Sequence, residues 1–84
     1  MYYIYFLISI KKNKVYVGFT EKDPKERLKE HNHGSNIFTS QNKPFKLIYY
    51  EEYICKSDAL KREKFYKTGF GRKIRNAIIS LLDK

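Results

Sequence analysis

The chain has 84 residues, 42% of them apolar and 17% aromatic, which suffices for one small core and argues against disorder. Its net charge of +9 points to a polyanionic partner, of which nucleic acid is the commonest. Cys55 is the single cysteine, which excludes an internal disulfide and a cysteine-built zinc cage and fits a reducing, cytoplasmic setting.

In chain order, Tyr2 to Ile10 is aromatic and β-branched and reads as a strand. Both of its alternating faces are apolar, as expected of the central strand of a sheet. Met1 to Ser9 is too short to cross a bilayer and lacks the basic start of a signal peptide. No basic amphipathic helix stands alone at a terminus, so no membrane association is expected. Lys11-Lys12-Asn13-Lys14 is a polar turn, and Val15 to Thr20 is a second strand closing an antiparallel hairpin. Tyr16 and Gly18 share one face of it; Val15, Val17 and Phe19 share the other.

Asp23-Pro24-Lys25-Glu26 is a helix start, with Asp23 as cap, Pro24 in the first helical position and Glu26 in a box-like place. That helix should run to about Asn32 and end at His33-Gly34. Residues 34–44 read as a polar loop. Phe45 to Ile54 reads as a third strand, with Phe45, Leu47 and Tyr49 on one side and Ile48 and Tyr50 on the other. Ser57 should cap a second helix running to about Thr68. Gly69-Phe70-Gly71 should break the chain before a last helix, Arg72 to Leu82, whose apolar stripe is Ile74, Ile78, Leu81 and Leu82. The expected architecture is α+β, one domain over residues 1–84. A small antiparallel sheet of about three strands, order 2-1-3, is flanked by about three helices.

Four groups of residues can carry chemistry. Ala59, Glu63 and Tyr66 fall on one helix face, which puts a carboxylate on a half-buried stripe. Such a charge needs a cation: a divalent metal, or an arginine such as Arg27 in a plain ion pair. Arg27 and His31, four apart, can clamp a phosphate and move a proton, although a solvated helix face would look the same. Tyr5 and Tyr16 can hydrogen-bond or deprotonate a water, although tyrosines are also good strand formers. Lys61, Arg62, Lys64, Lys67, Arg72, Lys73 and Arg75 form a basic run suited to phosphates, or to a solvated surface. Tyr53, Phe65, Tyr66 and Phe70 can stack on bases, with core packing the commoner use of such residues. His31-Asn32-His33 is not a zinc motif, because no further ligands accompany it.

The ordered set resembles the GIY-YIG nuclease family. Tyr3-Ile4-Tyr5 matches the first triplet and Tyr16-Val17-Gly18 the second; Glu26 to Asn32 resembles the arginine helix. Pro44 to Tyr53, followed by Ala59 to Lys64, resembles the strand and helix that bear the acid. The ending Lys67 to Lys73 is similar to that of small bacterial single-domain members. The resemblance implies a DNA endonuclease, active in DNA repair or processing, with a divalent cofactor, Mg2+, bound by Glu63. It gives Tyr16 the role of general base, Tyr5 that of its hydrogen-bonding neighbour, Arg27 that of phosphate clamp and His31 that of proton-transfer assistant. Lys14, Lys61, Lys64, Lys67, Arg72 and Lys73 are the expected nucleic-acid contacts. RNA stays open as a substrate, a monomer or weak dimer is expected, and a binding module without catalysis is the rival reading. Tyr3 stands where the family name has glycine, and Phe19 stands where some members carry a lysine, so that phosphate contact is lost or supplied elsewhere. Asn76 lies near the spacing of an asparagine that follows the acid in some members.

Overall fold

The computed structural model describes residues 1–33 and 41–82. Six elements follow in order: β1 (Tyr2–Ser9), β2 (Val15–Thr20), α1 (Pro24–Asn32), β3 (Phe45–Tyr53), α2 (Lys56–Tyr66) and α3 (Gly69–Leu82). The three strands form one antiparallel sheet in the order β2-β1-β3, so the doubly apolar strand is central, as its sequence requires. Asn13 adopts a positive φ of 54° in the hairpin turn, a conformation asparagine tolerates better than most residues.

The register sorts the side chains into two layers. Tyr5 lies opposite Gly18, and Leu7 opposite Tyr16, so these four share a face. With Phe45, Leu28 and Leu47 they pack under α1. Ile4, Phe6 and Val17 face the other way and pack with Ala59 and Tyr66 of α2 and with Ile74, Ile78 and Ile79 of α3. Each fully buried side chain of this kind contributes roughly 1.5–3 kcal/mol.

β3 departs from simple alternation. A bulge opposite Phe6 and Leu7 places Leu47 across from Leu7 but Tyr49 across from Phe6. Phe45 and Leu47 therefore lie on the α1 side while Tyr49 lies on the α2/α3 side, correcting the expectation that the three share a face. The extra residue shifts the phase of everything after it, which turns Glu51 inward under α2. There Glu51 accepts hydrogen bonds from the hydroxyls of Tyr49 (2.7 Å), Tyr53 (2.6 Å) and Tyr66 (2.5 Å) and from Arg62 Nε (3.2 Å). Burial pushes the carboxyl pKa up, but the hydrogen bonds from Tyr53, Tyr66 and Tyr49 and the charge of Arg62 outweigh it and hold the pKa below its ordinary value.

The helices differ from expectation at their ends. Asp23 caps α1, its Oδ1 accepting from the Lys25 N–H at 2.8 Å. In α2 the N-cap position belongs to Cys55, because the chain turns directly after β3; Ser57 already lies in the first turn. The helix ends at Tyr66, two residues early, and Gly69-Phe70-Gly71 forms the first turn of α3 instead of a break. Thr68 makes the corner: its hydroxyl donates to the Phe65 carbonyl (2.7 Å) and accepts from the Gly71 N–H (3.0 Å). A Cβ at Gly71 would lie 1.6 Å from the Phe65 carbonyl oxygen, so glycine serves here for close approach. On α3 the inward stripe is Ile74, Ile78 and Ile79; Leu81 and Leu82, expected inside, are exposed beyond the sheet's edge of cover. Residues 34–40 of the expected loop lie outside the described residues, and Gln41-Asn42 have helical geometry. No helix among the described residues is long and apolar enough to cross a membrane.

Candidate active site

The site begins with two strand residues facing each other. Gly18 lies directly opposite Tyr5, and the tyrosine ring lies over it: a Cβ at position 18 would fall 2.3 Å from the Tyr5 hydroxyl oxygen. The missing side chain lets the Tyr5 ring lie flat across β2, with its hydroxyl directed toward the α1 side. Tyr16, two residues before Gly18, lies beside it with ring centroids 6.3 Å apart.

Helix α1 brings the next two groups. Asn32 fixes its end to β3 by a two-point clasp, accepting from the Phe45 N–H (2.6 Å) and donating to the Phe45 carbonyl (3.2 Å). That clasp seats His31, fully buried, between the tyrosines. Its Nε2 is 2.8 Å from the Tyr5 hydroxyl, and its ring meets that of Tyr16 edge-on at 4.9 Å. Burial pushes the His31 pKa down to about 4, with the nearby Arg27 charge adding to the effect. Burial also raises the Tyr5 pKa, with Tyr16 adding to the rise and Arg27 opposing it. At neutral pH the pair is therefore a neutral imidazole hydrogen-bonded to a neutral phenol. His31 Nδ1 is buried with no hydrogen-bond partner among the described residues.

Arg27, one turn earlier on the same helix face, acts electrostatically on the Tyr5 hydroxyl. Its Nη1 also donates to Glu30 at 2.8 Å, and Glu30 in turn accepts from Lys22 Nζ at 2.7 Å. Glu30 thus aims the guanidinium and couples it to a second cation. Sequence reasoning passed over both residues; the three-residue spacing from Arg27 to Glu30 was the available signal. Phe19, Lys22, Arg27, Glu30 and Lys56 line a shallow cleft of about 420 Å³ at the Thr20 end of β2. Near Phe19, where some members carry a lysine, stand Lys22, paired with Glu30, and Lys56, paired at 3.7 Å with Glu21 of the same cleft.

Helix α2 brings Glu63. It is half-buried, as the stripe of Ala59 and Tyr66 requires, and its charge is felt at Tyr5. Of the two cations considered for it, Arg27 pairs instead with Glu30; among the described residues Glu63 has only a 3.4 Å ion pair with Lys67. Among the described residues no three His, Cys, Asp or Glu side chains gather. The donor set for a cation is one accessible carboxylate. That chemistry fits Mg2+, which keeps most of its waters and takes one or two carboxylates plus substrate oxygens.

At the other end of β2, Val15, Tyr16, Val17 and Tyr66 line a groove of about 280 Å³ with Lys67, Arg72 and Arg75. Burial and the neighbouring Arg72 charge lower the Arg75 pKa, and neither arginine pairs with a carboxylate among the described residues. Of the expected nucleic-acid contacts, Lys67 and Arg72 enter this groove. Lys14 is exposed in the turn just before it, and Lys61, Lys64 and Lys73 stand on exposed helix faces outside it. Arg62 leaves the basic run altogether: it pairs with Glu51 and lies over the Phe65 and Tyr66 rings. Asn76 accepts from Arg75 and lines a separate shallow cleft with Asn13 and Ser80.

Comparison with known families decides what this arrangement belongs to, because the model of the GIY-YIG catalytic domain matches residues 1–76. The chain belongs to the GIY-YIG family. A UPF0213 protein of Staphylococcus saprophyticus is 38% identical over 80 residues, covering 94% of each chain. UPF0213 proteins of Staphylococcus epidermidis and Staphylococcus aureus are each 36% identical over 64 residues, 75% of this chain and 77% of theirs. Their names state no reaction. No solved structure matches the chain. Membership of the GIY-YIG family brings a nuclease-type fold; nucleases of the family act on nucleic acid and generally use divalent metals.

Proposed function

We propose that the protein is a Mg2+-dependent endonuclease that hydrolyses DNA phosphodiester bonds in DNA repair or processing, with the edge strand β2 as the floor of the substrate path. The observation that carries this reading is the convergence of Tyr5, Tyr16, His31 and Arg27 on the α1 side of the hairpin, with Glu63 close enough for its charge to be felt there. Six residues of β2, roughly 20 Å of strand, separate the groove of Lys67, Arg72 and Arg75 from the cleft that holds Lys22, Arg27 and Lys56 with their partners Glu30 and Glu21. A backbone laid along that edge meets Lys67, Arg72 and Arg75 at one end and Lys22, Arg27 and Lys56 at the other.

In this reading Tyr16 takes the proton of the attacking water. Tyr5 stays protonated because of its raised pKa and orients the water or the phosphate through its hydroxyl. The neutral His31 holds that hydroxyl in place; with a pKa of about 4 it is a hydrogen-bonding support and not a cationic acid at neutral pH. Arg27, aimed by Glu30, holds the scissile phosphate and offsets the charge that grows on its oxygens. Glu63 would hold the metal. The chemistry the ion supplies when bound is stabilisation of the leaving oxygen.

The test is nicking of supercoiled, forked and single-stranded DNA with and without Mg2+, comparing the parent with Glu63→Gln. Metal-dependent nicking by the parent, lost in Glu63→Gln, is expected. Equal cutting by both would sink the assignment, and salt-dependent binding by a parent that cuts nothing would move the protein to a binding module.

A further inference from the structure

Phe70 is the one large aromatic side chain among the described residues that is mostly exposed inside the basic region, with 67% of its surface accessible. Lys67, three residues before it, and Arg72, two after it, line the groove that begins at Tyr16. Lys73, one turn further along α3, shares its helix face. Core packing does not account for its position. Its only ring contact among the described residues is a T-shaped one with Phe65 at 6.1 Å, and with two thirds of its surface accessible the ring has room for a stacking partner.

The backbone that carries the ring is also fixed. It sits in the first turn of α3, where Thr68 bonds the Gly71 N–H and the Phe65 carbonyl fills the space beside Gly71. The corner cannot relax to bury the ring without separating α2 from α3. An exposed aromatic on a fixed corner, flanked by cations, has the composition of a single-strand platform: charges for the backbone and a flat apolar face for a base.

We infer that Phe70 stacks on an unpaired nucleobase of a DNA strand whose phosphates lie against Lys67 and Arg72, which makes single-stranded or frayed DNA the preferred ligand. The inference deepens the endonuclease reading by naming its substrate class, and rests on it for the direction of the strand path. In a closed duplex every base is stacked on its neighbours, so the ring gains nothing. At a fork, flap or gap a base is free to turn out onto it. Selection is then by accessibility of a base and not by sequence, because every base offers a π-face.

The experiment is fluorescence anisotropy without divalent metal, so that nothing is cut. It uses three probes: a short mixed-sequence single strand, the same strand with abasic sites, and the matching closed duplex. Phe70→Ala should weaken single-strand binding about tenfold and leave duplex binding within about twofold, the size expected for one stacked base. Abasic sites should weaken the parent similarly but leave Phe70→Ala unaffected. Phe70→Trp should restore the affinity. Phe70→Leu keeps an apolar contact with Phe65 but not the aromatic face; it should fold like the parent and bind the single strand like Phe70→Ala. Undiminished single-strand binding by Phe70→Ala, equal losses on single strand and duplex, or no binding of the single strand by the parent at low salt would each overturn the inference. A parent that binds in this pattern and never cuts with Mg2+ would sink the endonuclease reading and leave the platform standing.

Discussion

On the α2/α3 side of the sheet, the Glu51 carboxylate accepts from three phenols and an arginine. On the α1 side, Tyr5 and His31 are more deeply buried but share one hydrogen bond, and His31 Nδ1 has no partner among the described residues. Both clusters are tyrosines gathered round a titratable group, and composition does not tell them apart. Completion does. A buried polar network whose members are all satisfied specifies a core. One left open, beside a half-exposed arginine and a glycine-cleared surface, has capacity for something that arrives later. Glu51 joins β3 to α2, the helix that carries Glu63. In the proposed reading the Tyr5 pair bears on substrate.

If that division is right, mutations on the two sides should separate rate from stability. The largest effect is expected for Arg27→Ala, which should lower DNA cleavage by a factor on the order of 10² to 10³ in single-turnover assays, while urea denaturation finds the fold little changed. Equal losses of rate and stability would put Arg27 with the scaffold. Glu51→Ala should do the reverse. It leaves three inward phenols and Arg62 without their acceptor and should cost about 3 kcal/mol of unfolding free energy, while the fraction that stays folded keeps its cutting rate.

The third effect depends on pH. His31 has an ordinary pKa of 6.5 when unfolded and about 4 when folded. Between those values the unfolded chain binds the extra proton, so stability falls as pH drops through that window and is unaffected by this group above it. The loss by pH 4 should be about 3 kcal/mol. His31→Gln should flatten that slope in urea titrations, whereas a slope that persists would assign the acid sensitivity to other groups. The smallest effect is that of Lys67→Ala. It should make the slope of log binding constant against log salt shallower by about 0.9 on duplex DNA, the mark of one lost phosphate contact. An unchanged slope would take Lys67 out of the groove's binding face.

Element order, strand order and the α1 cap were legible because each has a local cause: alternation, turn residues, Asp23-Pro24. So was the Arg27–His31 face, which follows from helical spacing. The bulge in β3 was not. Both sides of that strand carry aromatics, so a one-residue phase shift leaves the pattern equally plausible, and the inward turn of Glu51 disappears with it. The Gly69-Phe70-Gly71 corner misled for a different reason. Glycine reads as a breaker by propensity, but Gly71 is placed by contact with the Phe65 carbonyl, a residue on another helix. In the candidate site, the faces that its residues share were legible and their pairings were not. That Arg27 would turn to Glu30 and leave Glu63 to Lys67 depends on where α1 and α2 stand across the sheet.

The Tyr5 ring over Gly18 has a consequence for how this corner of the chain can drift. The two positions sit on different strands, yet they share one volume. Alanine at 18 would meet not only the Tyr5 hydroxyl but also the ring carbons Cζ and Cε1, at 2.4 and 2.9 Å. Trimming Tyr5 to Phe would therefore not make room, and trimming it further would remove the ring as well as the hydroxyl. No single-step or two-step path leads away from this pair with the phenol kept. A designer moving the site onto another hairpin would have to carry both residues, in register, as one part.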